Sequence, residues 1–174
     1  MLKFVKGAIL FAGLAVLFLT FGPSAVNPFA KLSKSADRRS IDAFALPAMD
    51  GSEWSLGAHQ GQVVLLNFWA TWCPPCRAET PALVNVHNEL SGRGFSVVGV
   101  SMDDDPASAV PGFVEKYKIS YPILKPEGFP LANHIDTLPT SLLLDKHGRV
   151  ARTYTGMIPE TVLRRDVEAL LSES

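Results

Sequence analysis

Residues 67–81 read NFWATWCPPCRAETP and hold the only two cysteines of a 174-residue chain. Cys73 and Cys76 stand two residues apart, with proline at both intervening positions, directly after an apolar and aromatic run. The pair by itself is compatible with a structural staple, half of a metal site, a peroxide-reducing thiol or a reversible redox couple. Its surroundings narrow the choice. VVLLNFWA (63–70) is a continuous apolar run bounded by turn signals, as expected of a strand buried on both faces. Residues 74–90 follow as a helix, with Leu83, Val86 and Leu90 at helical spacing. Cys73 therefore falls at a helix start, where the first N–H groups lack internal partners and the dipole favours an anion, so a thiolate is stabilised. Cys76 lies one turn further along the same face and can close a small disulfide ring. Pro74 takes the first helical position, whose N–H is unbonded in any case. A strand, then an exposed Cys at a helix start, then a second Cys one turn in, is the geometry of a thiol–disulfide exchanger.

Competing readings of the pair are weaker. A staple between residues three apart constrains almost nothing, because its loop is so short. A zinc site needs two more ligands, and His59, His87, His134 and His147 are scattered without a paired spacing. A lone C-x-x-C is a weak signal. The preceding buried strand and the Trp72 prefix strengthen it here.

The rest of the chain bounds what the site can serve. Nearly half of the residues are apolar, enough for a core that does not depend on disulfides. The net charge of −1 hides an asymmetry: residues 1–39 carry six Lys/Arg against one Asp, and residues 40–174 carry ten against sixteen Asp/Glu. An acidic body argues against nucleic acid as a partner. The basic end belongs with MLKFVKGAILFAGLAVLFLTFGPSAVNPFA, in which Lys3 and Lys6 precede a long uncharged run. A helix from Leu2 to Gly22 would be about 30 Å long, enough to span a bilayer. The small-x-small signature of a cleaved signal is poor, since Pro23 precedes Ala25 and Pro28 precedes Ala30. Residues 1–26 are thus expected to be a membrane anchor, or else a signal sequence, and 27–40 a short linker. Lys31, Lys34, Arg38 and Arg39 would favour the cytoplasm by the positive-inside rule. The basic start followed at once by an apolar run is an export form, and it places the body, residues 41–174, outside the cytoplasmic membrane.

The body divides into short units. FALPAMDGSEWSL reads as a hairpin turning at Asp50-Gly51. FSVVGVS (95–101) and SLLLD (141–145) read as further buried strands, YPIL as a short strand and VARTYTG as an alternating one. PASAVPGFVEKYK and the closing PETVLRRDVEALL read as helices. Alternating strands and helices followed by a hairpin imply an α/β fold, a mixed sheet flanked by helices.

With these residues in place, NFWATWCPPCRAETP resembles the active-site segment of the thioredoxin superfamily, and more closely that of the membrane-anchored TlpA/ResA/CcmG-like thiol-disulfide oxidoreductases. The resemblance runs from about Phe44 to the C-terminal helix. It includes a helix-bearing insertion at about 104–130, Leu138-Pro139-Thr140 before the third buried strand, and Gly148 in the turn after it. It implies a thioredoxin fold for residues 41–174, with Cys73 as attacking thiol, Cys76 as resolving thiol and a redox-active Cys73–Cys76 disulfide in place of any cofactor. It also implies a cis peptide before Pro139, where substrate backbone docks among Trp72, Pro74, Leu138 and Thr140. Pro81 lies inside the helix, where it removes a backbone bond and should kink the axis, as in thioredoxins.

Three features bear on redox direction. Pro74 and Pro75 lack N–H groups, so two amides that could bond the Cys73 sulfur are missing, which raises the thiol pKa and makes the disulfide harder to reduce. Glu79 lies three residues beyond Cys76 on the same face, where it opposes a second negative charge and can accept a proton. Asn67 occupies the place of a buried Asp in thioredoxins and cannot take a proton, which leaves Glu79 as the candidate base. All three point to an electron donor, a disulfide reductase. By family analogy its clients would be apocytochrome c, through a C-x-x-C-H segment, or a copper-site assembly protein, and a transmembrane electron donor would re-reduce it. Two other classes stay open. VVGVSMDDDP and the Cys76–Glu79 pattern resemble peroxiredoxins, although Cys73 stands where their Thr is needed. A copper chaperone would hold Cu(I) between the thiolates and a histidine.

Overall fold

A computed structural model describes residues 31–173. The central strand β4 (Val63–Trp69) is buried at every position, as its unbroken apolar run requires. It is flanked by β5 (Phe95–Ser101) in parallel and by β7 (Thr140–Leu144) in antiparallel register. Around these three lie β1 (Arg39–Ser40), β6 (Ile123–Leu124) and β8 (Arg149–Thr155), giving the order β1-β8-β7-β4-β5-β6. A separate hairpin, β2 (Ala45–Pro47) with β3 (Glu53–Ser55), turns at Asp50-Gly51, and the Asp50 side chain accepts the Ser52 N–H at 2.9 Å. Ala48 bridges to Leu124, which docks the hairpin onto the β6 edge.

The side chains of β4 divide the core into two layers. Val63, Leu65 and Trp69 face one layer, shared with α1 (Pro74–Leu90), α2 (Pro106–Tyr117) and α3 (Glu160–Ser172) through Leu83, Val86, Phe113, Leu163 and Val167. Val64, Leu66 and Phe68 face the other, which is closed by Leu46 and Trp54 of the hairpin and by Phe129 and Ala132. The period-2 alternation of a strand is what separates the two sets. Close approach also matters. A Cβ added at Gly99 of β5 would lie 2.8 Å from Nε1 of Trp69, so glycine is needed for Trp69 to fill the space above β5.

The thioredoxin-like arrangement expected for the body is present, with α1 running continuously through Pro81. YPIL shortens to Ile123–Leu124. Tyr121 and Pro122 lie outside the strand, and the Pro122 carbonyl accepts the Gly99 N–H. Among the described residues no helix is long and apolar enough to cross a membrane. The anchor expected over residues 1–26 lies outside the described residues.

The linker expected over 27–40 needs correction at its end. From Ser33 onward the chain is packed on the body: the Ser33 N–H reaches the Ala151 carbonyl, and Arg39–Ser40 pair with β8. Arg38, which reads as one more charge in a basic run, is buried. Its guanidinium donates to Asp145 Oδ2 at 3.2 Å and to both carboxylate oxygens of Glu173 at 2.6 and 2.8 Å, while Nε reaches the Ser33 carbonyl at 3.0 Å. This clasp ties the incoming chain to the end of β7 and the end of α3. Arg38→Ala is expected to cost about 2 kcal/mol in denaturant unfolding. That is less than the roughly 3–5 kcal/mol typical of a broken buried pair, because Asp145 keeps Arg149 and Glu173 is partly solvated.

Candidate active site

The site sits where β4 ends and α1 begins. Ala70 to Trp72 make the turn, and Cys73 is the N-cap of α1, in extended conformation. Its Sγ is joined to that of Cys76, with the Cα atoms 5.3 Å apart. One backbone amide reaches the Cys73 sulfur, the Cys76 N–H at 3.4 Å. Pro74 and Pro75 have none to give, as their sequence position requires. Trp72 is 65% exposed and Pro74 and Pro75 are exposed beside it, whereas Cys73 is only 3% exposed. The expectation of an open Cys73 is therefore corrected for the disulfide form, in which the sulfur turns inward to its partner and joins the helix-side core.

The Leu138–Pro139 peptide is cis, as the family resemblance implies. Pro139 and Thr140 are buried at the start of β7, and Leu138 packs against both core layers. The Pro139 carbonyl accepts the Gly156 N–H at 2.8 Å, and Thr140 Oγ1 donates to the Thr137 carbonyl at 2.7 Å. Because β7 runs antiparallel to β4, with Thr140 opposite Phe68, its beginning lies at the same pole of the sheet as the disulfide.

Glu79 is buried beneath that pole at 2% exposure. Its Oε1 accepts from Asn67 Nδ2 at 2.9 Å and its Oε2 from the Ile158 N–H at 3.1 Å. Burial pushes its pKa up to about 7, against the opposing pull of the Ile158 and Asn67 donors. A carboxyl that changes charge near neutrality, one helical turn from Cys76, is suited to exchange a proton with a thiol.

One further residue of the site was not singled out in the sequence. Asp103, just beyond β5, is buried and accepts from the Thr71 N–H, from Thr71 Oγ1 at 2.6 Å and from Ser101 Oγ at 2.9 Å. It fixes the turn that presents Trp72 and Cys73. The acidic run Asp103-Asp104-Asp105 gave no hint of this, since Asp105 serves instead as N-cap of α2, accepting from the Ser108 N–H. Among the described residues, no group of three or more His, Cys, Asp or Glu could hold a metal ion.

Residues 38–168 match the AhpC/TSA family. The chain is 31% identical over 150 residues to the thiol-disulfide oxidoreductase ResA of Halalkalibacterium halodurans, covering 85% of each. The chain belongs to the AhpC/TSA family, as a ResA/CcmG-like member of the thioredoxin superfamily. Solved structures agree. A DsbF homologue from Corynebacterium diphtheriae superposes with a TM-score of 0.73 at 26% identity, over 86% of this chain and 96% of that one. A thiol:disulfide interchange protein from Chlorobium tepidum gives 0.69 at 29% identity, over 80% and 100%.

This ResA/CcmG-like chain is accordingly a thiol-disulfide oxidoreductase. The residues anticipated for its site, Trp72, Cys73, Pro74, Cys76, Glu79, Leu138, Pro139 and Thr140, gather at one pole from two separate chain segments, 72–79 and 138–140. The partners of Glu79 could not be paired in advance. Asn67 stands out in its strand as the one polar residue, but Ile158 contributes a backbone N–H that no side-chain pattern announces.

Proposed function

We propose that this oxidoreductase is an electron donor that reduces disulfides of client proteins on the outer side of the cytoplasmic membrane. The observation that carries the direction is the single amide on the Cys73 sulfur. A poorly supported thiolate stabilises the reduced pair little, so the disulfide resists reduction and the dithiol is a strong reductant. Buried Glu79 acts in the same sense, since its charge would oppose a thiolate nearby.

The Cys73 thiolate attacks one sulfur of a client disulfide docked beside Pro139. The client S–S bond breaks, a Cys73–client mixed disulfide forms, and the first client sulfur leaves as a thiolate. Cys76 then gives its proton to the Glu79 carboxylate and attacks the Cys73 sulfur, releasing the second client thiolate. The client has gained two electrons and the enzyme holds the Cys73–Cys76 disulfide. A transmembrane donor of two electrons would restore the dithiol, and the apolar N-terminal run supports placing the enzyme at a membrane. Clients that suit this chemistry are a C-x-x-C-H segment of apocytochrome c or a cysteine-bearing copper-site assembly protein.

The test is the equilibrium potential against glutathione or dithiothreitol. A value near that of thioredoxin, about −270 mV, is expected, and one near the roughly −120 mV of a disulfide-forming oxidant would overturn the donor assignment. Hydrogen peroxide provides a second arm, because the family match and the Cys76–Glu79 pattern also admit a peroxidase. Oxidation of the reduced protein no faster than that of free cysteine is the expected result.

A further inference from the structure

Glu79 can work as a proton carrier only if both of its charge states are accommodated in a buried place. The geometry points to Asn67 and Ser141 as an amide–hydroxyl switch that satisfies Glu79 in either state, making both of them positioning residues. This rests on the reading of Glu79 as the acceptor of the Cys76 proton.

Asn67 lies at the middle of β4, its backbone paired with Gly99 on one side and Ser141 on the other. It is buried, as is Ser141. Its amide nitrogen donates both hydrogens, to Glu79 Oε1 at 2.9 Å and to Ser141 Oγ at 2.8 Å. That arrangement suits a carboxylate. Once Glu79 is protonated, the same amide turned by 180° about its last bond presents Oδ1 instead, which accepts the new Glu79 O–H. Ser141 can follow, since a hydroxyl that accepted from Nδ2 can donate to Oδ1.

The position of the proton follows as well. Oε2 faces the Ile158 N–H, a donor with no accepting capacity, so the proton belongs on Oε1, facing Asn67. An Asp in place of Asn67 would set a second carboxyl against the first. A Leu would leave Oε1 without its Asn67 partner in either state. Titratable groups beside Glu79 are Cys76, one turn earlier in α1 and closed as a disulfide with Cys73, and Tyr121 before β6. The Tyr121 hydroxyl is pushed upward by burial and by the Glu79 charge, so it stays neutral throughout the relevant range.

The signature is in the Asn67 side-chain amide of the oxidised wild-type protein, observed by 15N and 1H NMR between pH 5 and 9. Its two proton signals are expected to titrate with the same midpoint as the 13C-labelled Glu79 carboxyl, and to stop moving in Glu79→Gln. Asn67 signals that stay fixed while the Glu79 carboxyl titrates would overturn the switch. A second measurement follows resolution of a Cys73–thionitrobenzoate mixed disulfide by Cys76. The wild-type rate is expected to rise through the Glu79 ionisation, and Asn67→Leu to move that rise upward by about one pH unit, because the charged form loses the stronger bond. An unmoved profile in a folded Asn67→Leu protein would count against the switch. If Glu79→Gln itself leaves the profile unchanged, the acceptor reading fails instead, and the NMR titration still decides the role of Asn67 and Ser141.

Discussion

Cys76→Ser is expected to arrest the enzyme halfway, as a stable Cys73–client disulfide, while Cys73→Ser abolishes reduction by more than about a thousandfold. The asymmetry comes from where the two sulfurs sit. Cys73 is flanked by exposed Trp72 and Pro74, at the helix end whose dipole favours a thiolate, and shares its pole with Pro139. Cys76 is one turn inside, on the face that buries Glu79. On this geometry the first is expected to meet the client and the second to resolve the bond at Cys73. Non-reducing electrophoresis of membranes expressing Cys76→Ser should show a band of higher mass that dithiothreitol collapses, and mass spectrometry of that band identifies the client. The band should be absent from Cys73→Ser. A trapped product that instead forms through Cys76 in Cys73→Ser would reverse the two roles.

Glu79→Gln is expected to make the protein more stable and a poorer catalyst. The sign follows from the raised pKa. Below pH 4.5, the ordinary value for Glu, the carboxyl is protonated both in the fold and in the unfolded chain, and burial adds no charge penalty. Between 4.5 and about 7 the folded state holds a proton that the unfolded chain has lost, so stability falls as pH rises. Above about 7 the loss is complete, at about 3 kcal/mol. Gln keeps an oxygen for the Ile158 N–H and carries no charge, so its advantage is absent in acid, grows through this window and levels off above neutrality. Thermal or urea unfolding at pH 4 and pH 8 separates the two limits. Resolution of the mixed disulfide should slow by about a hundredfold at neutral pH, the scale of a lost general base. An advantage over the wild type of the same size at pH 4 and pH 8 would mean that the burial of Glu79 carries no charge penalty.

Much of this was legible because apolar runs and turn residues are local signals. Strands β4, β5 and β7 are buried on both faces and read as short Val/Leu-rich stretches, and the start of α1 follows from Cys73 and Pro74. Glu79 was found by its place one turn beyond Cys76. What escaped detection depends on contacts between distant parts of the chain. Asp103 looks like its acidic neighbours until Thr71 is brought to it, thirty-two positions away. Arg38 sits in a run of basic and polar residues that reads as solvated chain, and only the fold supplies Asp145 and Glu173 as its partners. Burial of a charge is a property of the assembled surface, and hydropathy in a short window cannot report it.

The Arg38 clasp also sets a direction. Asp145 directly follows β7 and Pro139 directly precedes it, so the clasp and the disulfide lie at opposite ends of the central sheet. Seven residues of β4 at roughly 3.3 Å each separate these ends by about 20 Å. With the chain fastened down from Ser33 onward, it enters the domain at the end of the sheet opposite the disulfide. A load or truncation at Ser33 to Arg38 would therefore be felt first at the edge farthest from Cys73, and the chemistry at Cys73 and Cys76 is insulated from it by the length of the sheet.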